Sequence, residues 1–326
     1  VRGNHWNRHG DVGDDALPVW NSRHLREGPA LIAIDVPLVR ALITGQFPQW
    51  ADLPIAPVIP GGVDHRTFRL GSRLLVRLPS AEGYAVQVEK EQRWLPRLAA
   101  ALPVPIPVPV ARGGPGHGYP FDWSVYGWLD GRTVLDGADI DLPGVAVDVA
   151  AFLRDLHAVD TSDGPGPGLH TGYRGGPASW YDAETRSAID ALADVIDADR
   201  ATRMWERALA APYAGPGVWF HGDVAPGNLL LRGGRLSAVI DFGCAGVGDP
   251  ACDLVIAWTL LEAPSRNLFH ANLDPDDGCW ARGQGWALWK ALIVQRELRG
   301  PGGLSTDGVA AAETQRVLTA LFADAG

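Results

Sequence analysis

Histidine, aspartate and asparagine recur at close intervals in His221-Gly222-Asp223-Val224-Ala225-Pro226-Gly227-Asn228, and another acid follows in Ile240-Asp241-Phe242-Gly243. This set suits phosphoryl transfer. That reaction needs an aspartate to accept the proton of an attacking hydroxyl and orient it. It also needs oxygen ligands for a Mg²⁺ ion bridging nucleotide phosphates. An Asp, an Asn five positions on, and an Asp beyond a short hairpin supply those groups from adjacent loops.

The flanking pattern shows how such loops are held. Val218–Phe220 is apolar, Leu229–Leu231 and Leu236–Ile240 flank a Gly-Gly turn, and the stretch between Asn228 and Asp241 is just long enough for two strands. The pairing returns Asp241 close to Asn228. Upstream, a helix is expected near Val36–Thr44, then three short strands, Ile55–Ile59, Arg66–Leu70 and Leu74–Leu78, in an antiparallel meander. Glu82–Leu102 reads as a helix with a kink or restart at Pro96. Pro103–Val110 alternates proline with apolar residues and must be extended, at a sheet edge. Pro120–Leu129 reads as a strand running into Asp130-Gly131. Beyond it, Val145–Val159, Trp180–Ala211, Asp253–Glu262, Trp280–Leu298 and Val309–Ala323 read as helices. Strands first and helices later predict an α+β fold.

The three linked motifs, His221 to Asn228, Ile240 to Gly243, and Gly248-Asp249-Pro250 with Asp253-Leu254, resemble the aminoglycoside phosphotransferase family of protein-kinase-like enzymes over roughly residues 31–326. The resemblance implies a bilobal fold with a small antiparallel-sheet N-lobe at 31–127, a hinge at 128–131 and a mainly helical C-lobe at 132–326; residues 1–30, rich in Gly, His, Asn, Asp and Arg with little periodicity, read as a mobile tail. It implies Asp223 as catalytic base and Asn228 and Asp241 as Mg²⁺ ligands. Asp249 and Asp253 become structural, although Asp253 could instead cap the helix that follows it. His221 either orients the catalytic loop through a backbone bond or is simply buried, and His157 is structural. Backbone groups near Gly127, Trp128 and Leu129 then meet the purine edge, which leaves ATP and GTP both open.

On the phosphate side, Gly61 and Gly62 form the turn between the first two strands, a departure from the kinase Gly-rich loop. The third strand has no lysine, so Arg77 is the candidate phosphate cation. Glu91, on the apolar face of the following helix, is its expected partner, with Glu89 as the alternative. The acceptor wall should come from the C-terminal helices. Asp182, Glu262, Asp277 and Trp280 are candidates, with Glu184, Trp258, Trp286 and Trp289 beside them. Acids would suit an aminocyclitol or basic peptide antibiotic, and tryptophans a macrolide or nucleoside. An antibiotic is the first expectation, and a choline- or homoserine-like metabolite the second.

Rival readings are disfavoured. Seven residues between Asp241 and Asp249 are too few for a peptide-docking segment, which argues against a protein kinase. An inactive nucleotide-binding module usually lacks the base or a metal ligand. A metallophosphoesterase would want a second histidine-rich loop, and no Gly-x-Ser-x-Gly motif of a serine hydrolase occurs. With 28 Lys+Arg against 38 Asp+Glu, a net charge of −10 argues against nucleic acid as partner. Three cysteines at irregular spacing exclude a disulfide framework, and no apolar run reaches membrane-spanning length. A cytoplasmic monomer or homodimer is expected.

Overall fold

The computed structural model describes residues 33–59, 64–136, 139–299 and 308–324. The expected tail at 1–30 and the Gly61-Gly62 turn lie outside the described residues.

The first helix, α1 (Val36–Gln46), starts at Asp35, whose Oδ1 accepts the Leu38 N–H at 3.0 Å. The meander follows as β1 (Ile55–Pro57), β2 (His65–Leu70) and β3 (Leu74–Pro79), and then α2 (Glu82–Ala101), β4 (Pro109–Gly113) and β5 (Trp123–Gly127). The five strands form one antiparallel sheet in the order β1-β2-β3-β5-β4, so the proline-rich approach does end in an edge strand. Side chains alternate along a strand. Val76 and Leu78 therefore join Val39, Leu42, Ile43, Phe68 and Trp123 in one apolar cluster. Arg77, between them, meets α2 instead. Pro96 does not restart α2, which is one continuous helix. The missing N–H forfeits one bond, and the buried Trp94, Leu95 and Leu98 on either side of Pro96 hold the helix through it.

The second half begins with β6 (Arg132–Thr133) and α3 (Leu142–His157), whose Val145, Val149, Phe152, Leu153 and Leu156 are all buried. The long helix expected over 180–211 is two, α4 (Asp182–Ala191) and α5 (Ala198–Leu209). Asp197 caps the second by accepting the Arg200 N–H at 2.9 Å. Next come β7 (Val218–Phe220), β8 (Leu229–Arg232), β9 (Arg235–Val239) and β10 (Gly246–Gly248). The last helices are α6 (Ile256–Thr259), α7 (Ala263–Leu273), α8 (Asp277–Arg299) and α9 (Gly308–Asp324). The helix expected from Asp253 begins as a tighter turn at Pro250–Val255. The helix α7 and the short strands β6 and β10 were not anticipated. Two small sheets, β7 with β10 and β6-β8-β9, support the loops between them.

No helix among the described residues is long and apolar enough to cross a membrane. The three cysteines are free.

Candidate active site

The β8–β9 hairpin turns on Gly233 (φ +59°) and Gly234 (φ +79°), the doubly positive φ that a two-residue hairpin favours. Its register pairs Leu229 with Val239. The Ile240 N–H then donates to the Asn228 carbonyl at 2.9 Å, which joins the two motif loops.

Two buried side chains fix the first loop. Asp253 accepts the His221 N–H at 2.8 Å and the Gly222 N–H at 2.6 Å. It ties down the catalytic loop, and the capping role falls to Asp249, whose Oδ1 accepts the Ala251 N–H at 3.1 Å. Burial pushes the Asp253 carboxyl up to about 7 against the pull of its two backbone donors. His221 orients the loop through backbone bonds. Its Nδ1 accepts the Asp223 N–H at 3.2 Å, which puts the ring proton on Nε2, 3.0 Å from the Ile240 carbonyl. Burial holds its pKa below the ordinary value, so the ring is neutral. One imidazole thus links the backbone of Asp223 to the residue before Asp241. Gly222 has φ +83°, and a Cβ there would lie 2.6 Å from the Cys244 carbonyl oxygen. Only glycine fits.

The Asn228 amide nitrogen donates to the Asp223 carbonyl at 2.8 Å and to Asp223 Oδ2 at 3.2 Å. Asp223 Oδ1 receives Lys290 Nζ at 2.8 Å. Burial would raise the Asp223 carboxyl, but Lys290, followed by Arg174, holds it at about 2. Asp241 takes the left-handed conformation, φ 66° and ψ 69°, and its side chain is 42% exposed. A non-glycine residue there costs on the order of 1–3 kcal/mol.

Arg77 meets both lobes. Its Nη1 donates to Glu91 Oε1 at 3.0 Å and its Nη2 to Asp241 Oδ1. Glu91 also accepts the Tyr126 hydroxyl, and Glu89 is exposed on the helix surface. Burial would lower the Arg77 pKa, but Asp241 and Glu91 raise it above the ordinary value. Lys90, one position before Glu91, donates to the carbonyls of His170, Gly243 and Ala245 at 2.8, 2.6 and 2.9 Å. It pins the segment after Asp241 to α2. Asp64 lies nearby, its carboxyl pushed up to about 6 by burial and by Asp241.

At the expected hinge the Gly127 N–H is bonded to the Val108 carbonyl at 3.2 Å and the Trp128 N–H to the Arg73 carbonyl at 2.8 Å. Those two donors are spent inside the chain. Leu129, with no backbone N–H bond to the described residues, is the remaining candidate to meet a purine.

The acceptor side differs from expectation. A recess at Asp223 is lined by Arg174, Lys290, Trp286, Trp289, Val224 and Val255. Of the expected acids, Asp182 is bound to Arg186 and Trp205 at 2.8 and 2.7 Å, and Glu262 is exposed at the start of α7. Asp277 and Trp280 stand in the first turns of α8, and Trp280 packs on Trp258 and His270. Lys290 is ten or more positions further along that helix, about 15–20 Å away at 1.5 Å per residue. Of the tryptophans expected on this side, Trp286 and Trp289 line the recess and Trp280 does not.

Sequence reasoning also missed Lys90, Lys290, Arg174 and Tyr126. One signal was available. The chain keeps only two lysines, and both bond parts of this site.

An antiparallel sheet that offers Arg77, with helix α2 that offers Glu91, above a helical half whose loops carry Asp223, Asn228 and Asp241, defines a protein-kinase-like fold. A family model described as the phosphotransferase enzyme family (APH) matches residues 56–291. The chain belongs to that family. It is 32% identical over 151 residues to an aminoglycoside 3′-phosphotransferase of Escherichia coli, a match covering 43% of this chain and 53% of that protein. The chain thus spans about half the length of that relative. Among solved structures, the GDP complex of aminoglycoside 2′-phosphotransferase-IIIa superposes with a TM-score of 0.64 at 19% identity, over 88% of this chain and 98% of the other. A macrolide 2′-phosphotransferase from Brachybacterium faecium gives 0.58 at 20% identity, over 87% and 97%. These likenesses show the fold.

Proposed function

We propose that the chain is a Mg²⁺-dependent O-phosphotransferase that moves the γ-phosphate of ATP or GTP to a hydroxyl of a small molecule. One observation carries this reading. Asp223 and Asn228 are bonded side chain to side chain, Asn228 is joined to the strand that ends at Asp241, and Arg77 reaches Asp241 from the sheet.

The residues fit the metal. The Asn228 amide nitrogen is committed to Asp223, so its oxygen is the free end of the group. Asp241 is partly exposed and meets Arg77 through Oδ1. One amide oxygen and one carboxylate are hard donors of the kind Mg²⁺ takes alongside phosphates and waters. When bound, the ion neutralises charge on the phosphates. Asp223, ionised far below neutrality, accepts the proton of the acceptor hydroxyl. The acceptor oxygen bonds to phosphorus, the bond from phosphorus to the bridging oxygen breaks, and nucleoside diphosphate leaves. Arg77 pairs with the phosphates as a permanent cation. Residues 128–131 serve as the hinge, with the Leu129 N–H toward the base.

The relatives named for aminoglycosides and macrolides make antibiotics the first acceptors to test. The test is a mass-spectrometric screen of antibiotics and metabolites for an added phosphate, with ATP and GTP run separately. Product with neither nucleotide, together with absent Mg²⁺-dependent nucleotide binding, would end this reading.

A further inference from the structure

Three of the cations near Asp223 and Asp241 are fixed in place. Lys90 spends its three N–H donors on three carbonyls. Arg77 has one amino group on Glu91 and the other on Asp241. Arg174 is stacked 4.5 Å over the Trp289 ring, and its Nη1 donates to the Gly172 carbonyl and the Tyr181 hydroxyl, both at 3.3 Å.

Lys290 is different. Its Nζ donates to Asp223 Oδ1 at 2.8 Å, and it has no other partner among the described residues. Two of its three donors are therefore free. The Lys290 side chain is 34% exposed and that of Asp223 38%, so the pair is open to solvent and to a ligand. An exposed ion pair of this kind adds little to stability, which makes a purely structural anchor a weak account of it.

Its position gives a second reason. Arg77 reaches Asp241 from the sheet, Asn228 joins the strand before Asp241 to Asp223, and Lys290 reaches Asp223 from α8. Cations thus stand at both ends of one row of proposed catalytic groups. A hydroxyl that gives its proton to Asp223 sits about 2.6–3.2 Å from the carboxylate. The phosphorus it attacks lies about 3–3.5 Å beyond. The phosphoryl group is then within about 7 Å of the carboxylate that holds Lys290. Lysine carries its charge on a flexible four-carbon stem, so the ammonium can cover that distance without any movement of α8.

Resting on the phosphotransferase reading, we propose that Lys290 is a catalytic cation for the γ-phosphoryl group. In the free chain it neutralises Asp223. When nucleoside triphosphate binds, it turns a free N–H to a γ-phosphate oxygen. Its attraction then shifts during the reaction. The hydroxyl proton arriving on Asp223 cancels the charge of the carboxylate, and the phosphoryl oxygens become the anionic partner that remains. A contact that tightens as the proton moves stabilises the transition state more than the ground state. The hydroxyl oxygen bonds to phosphorus, the bond from phosphorus to the bridging oxygen breaks, and nucleoside diphosphate leaves. Lys290 keeps its three protons throughout.

The test needs no acceptor. The chain has only two lysines, Lys90 and Lys290, so ¹³C-labelled lysine gives two ε-methylene NMR signals, and Lys290→Arg identifies which belongs to Lys290. The full chain with Mg²⁺ is titrated with ADP, with β,γ-imido-ATP, which keeps the γ-phosphate without transferring it, and with the guanine forms of both. The Lys290 signal is expected to shift with the triphosphate analogue and not with the diphosphate. By calorimetry, Lys290→Met should bind diphosphate as the unaltered chain does and the triphosphate analogue about tenfold or more weakly. Lys290→Arg, which keeps a cation, should recover most of that loss. A lysine that only anchored Asp223 would move neither reading. The assignment is overturned if the Lys290 signal does not distinguish triphosphate from diphosphate, or if Lys290→Met weakens both nucleotides equally or neither. Absence of Mg²⁺-dependent nucleotide binding in the unaltered chain would instead remove the phosphotransferase reading, and this assignment with it.

Discussion

Arg77 on the third strand donates to Asp241, 164 positions later, and with its other amino group holds Glu91 on α2. The guanidinium is therefore a joint between the sheet, its helix and the loop proposed to bind metal. Glu91 is only 2% exposed, so deleting the cation leaves a buried acid with Tyr126 alone. Removing one partner of a buried pair costs about 3–5 kcal/mol. Arg77→Ala is expected to lower thermal stability by that order and to weaken nucleotide triphosphate binding. Arg77→Lys should recover folding better than binding, because one ammonium lacks the fork that spans two carboxylates. Calorimetric unfolding and ATP titration read the two effects. Unchanged triphosphate affinity in a folded variant would assign the phosphate cation elsewhere.

Asp223 and Asn228 are in contact, so their substitutions should differ in kind. Asp223→Asn removes the proton acceptor and keeps the shape of the loop. Turnover is expected to fall by about 10²–10⁴-fold, with nucleotide affinity close to that of the unaltered chain. Steady-state kinetics with any accepted hydroxyl compound, beside calorimetry with ATP, measures both. Near-normal turnover would remove Asp223 as base.

Asp241→Ala should abolish the Mg²⁺ dependence of nucleotide binding. It also removes one of the two carboxylates that Arg77 bridges. Arg77 then keeps Glu91 as partner, so the fold should survive. Titrating ATP with and without Mg²⁺ separates the losses. A variant that still binds more tightly with the ion than without it would contradict the metal-ligand role.

Asp253→Asn tests the clamp under the catalytic loop. The amide offers one acceptor oxygen where the carboxylate offers two to His221 and Gly222. One buried N–H is left unpaired, at a cost of about 1–3 kcal/mol. A fall in melting temperature with a larger fall in turnover than in nucleotide affinity is expected. A variant with unchanged melting temperature would show that the loop does not depend on this clamp.

Parts of this site were legible because they are local. Strand alternation sets Arg77 opposite Val76 and Leu78, helical spacing brings Glu91 to the inner face of α2, and the Gly233-Gly234 turn dictates where Asp241 returns. What was not legible depends on packing between distant elements. Lys290 comes from α8, Arg174 from an irregular stretch before α4, and Tyr126 from β5, and no periodicity links any of them to Asp223 or Glu91. The tryptophans illustrate the limit. Trp286 and Trp289 lie three apart and pack on Tyr181, as core residues do, yet they also wall the recess at Asp223. Spacing alone cannot separate those two roles. The acids at 274–277 and the Trp280 ring stand before or in the first turns of α8, away from that recess.

Lys90 gives the site a pH dependence on the alkaline side. Burial lowers its ammonium from the ordinary 10.5 to about 8, while it donates to three carbonyls, two of them in the segment after Asp241. Once neutral, the amine keeps two N–H groups for three acceptors, and that segment loosens. Turnover is expected to fall as pH rises through about 8. Stability moves the other way. Between about 8 and 10.5 the unfolded chain holds the Lys90 proton and the folded chain does not, so this group's contribution to stability increases with pH. Rate loss that begins near 8, below the ordinary thiol range, separates this effect from unfolding. The Cys244 thiol, pushed from 9 up to about 12 by burial, lowers stability as pH rises above about 9 and so opposes the Lys90 contribution there, while the Asp64 carboxyl, at about 6, lies below the window. Lys90→Met should turn over more slowly at neutral pH and lack the decline near 8. The melting-temperature difference between it and the unaltered chain, followed from pH 7 to 10, isolates the linkage. A flat rate for the unaltered chain across that range would mean that Lys90 keeps its proton or that the segment does not need it.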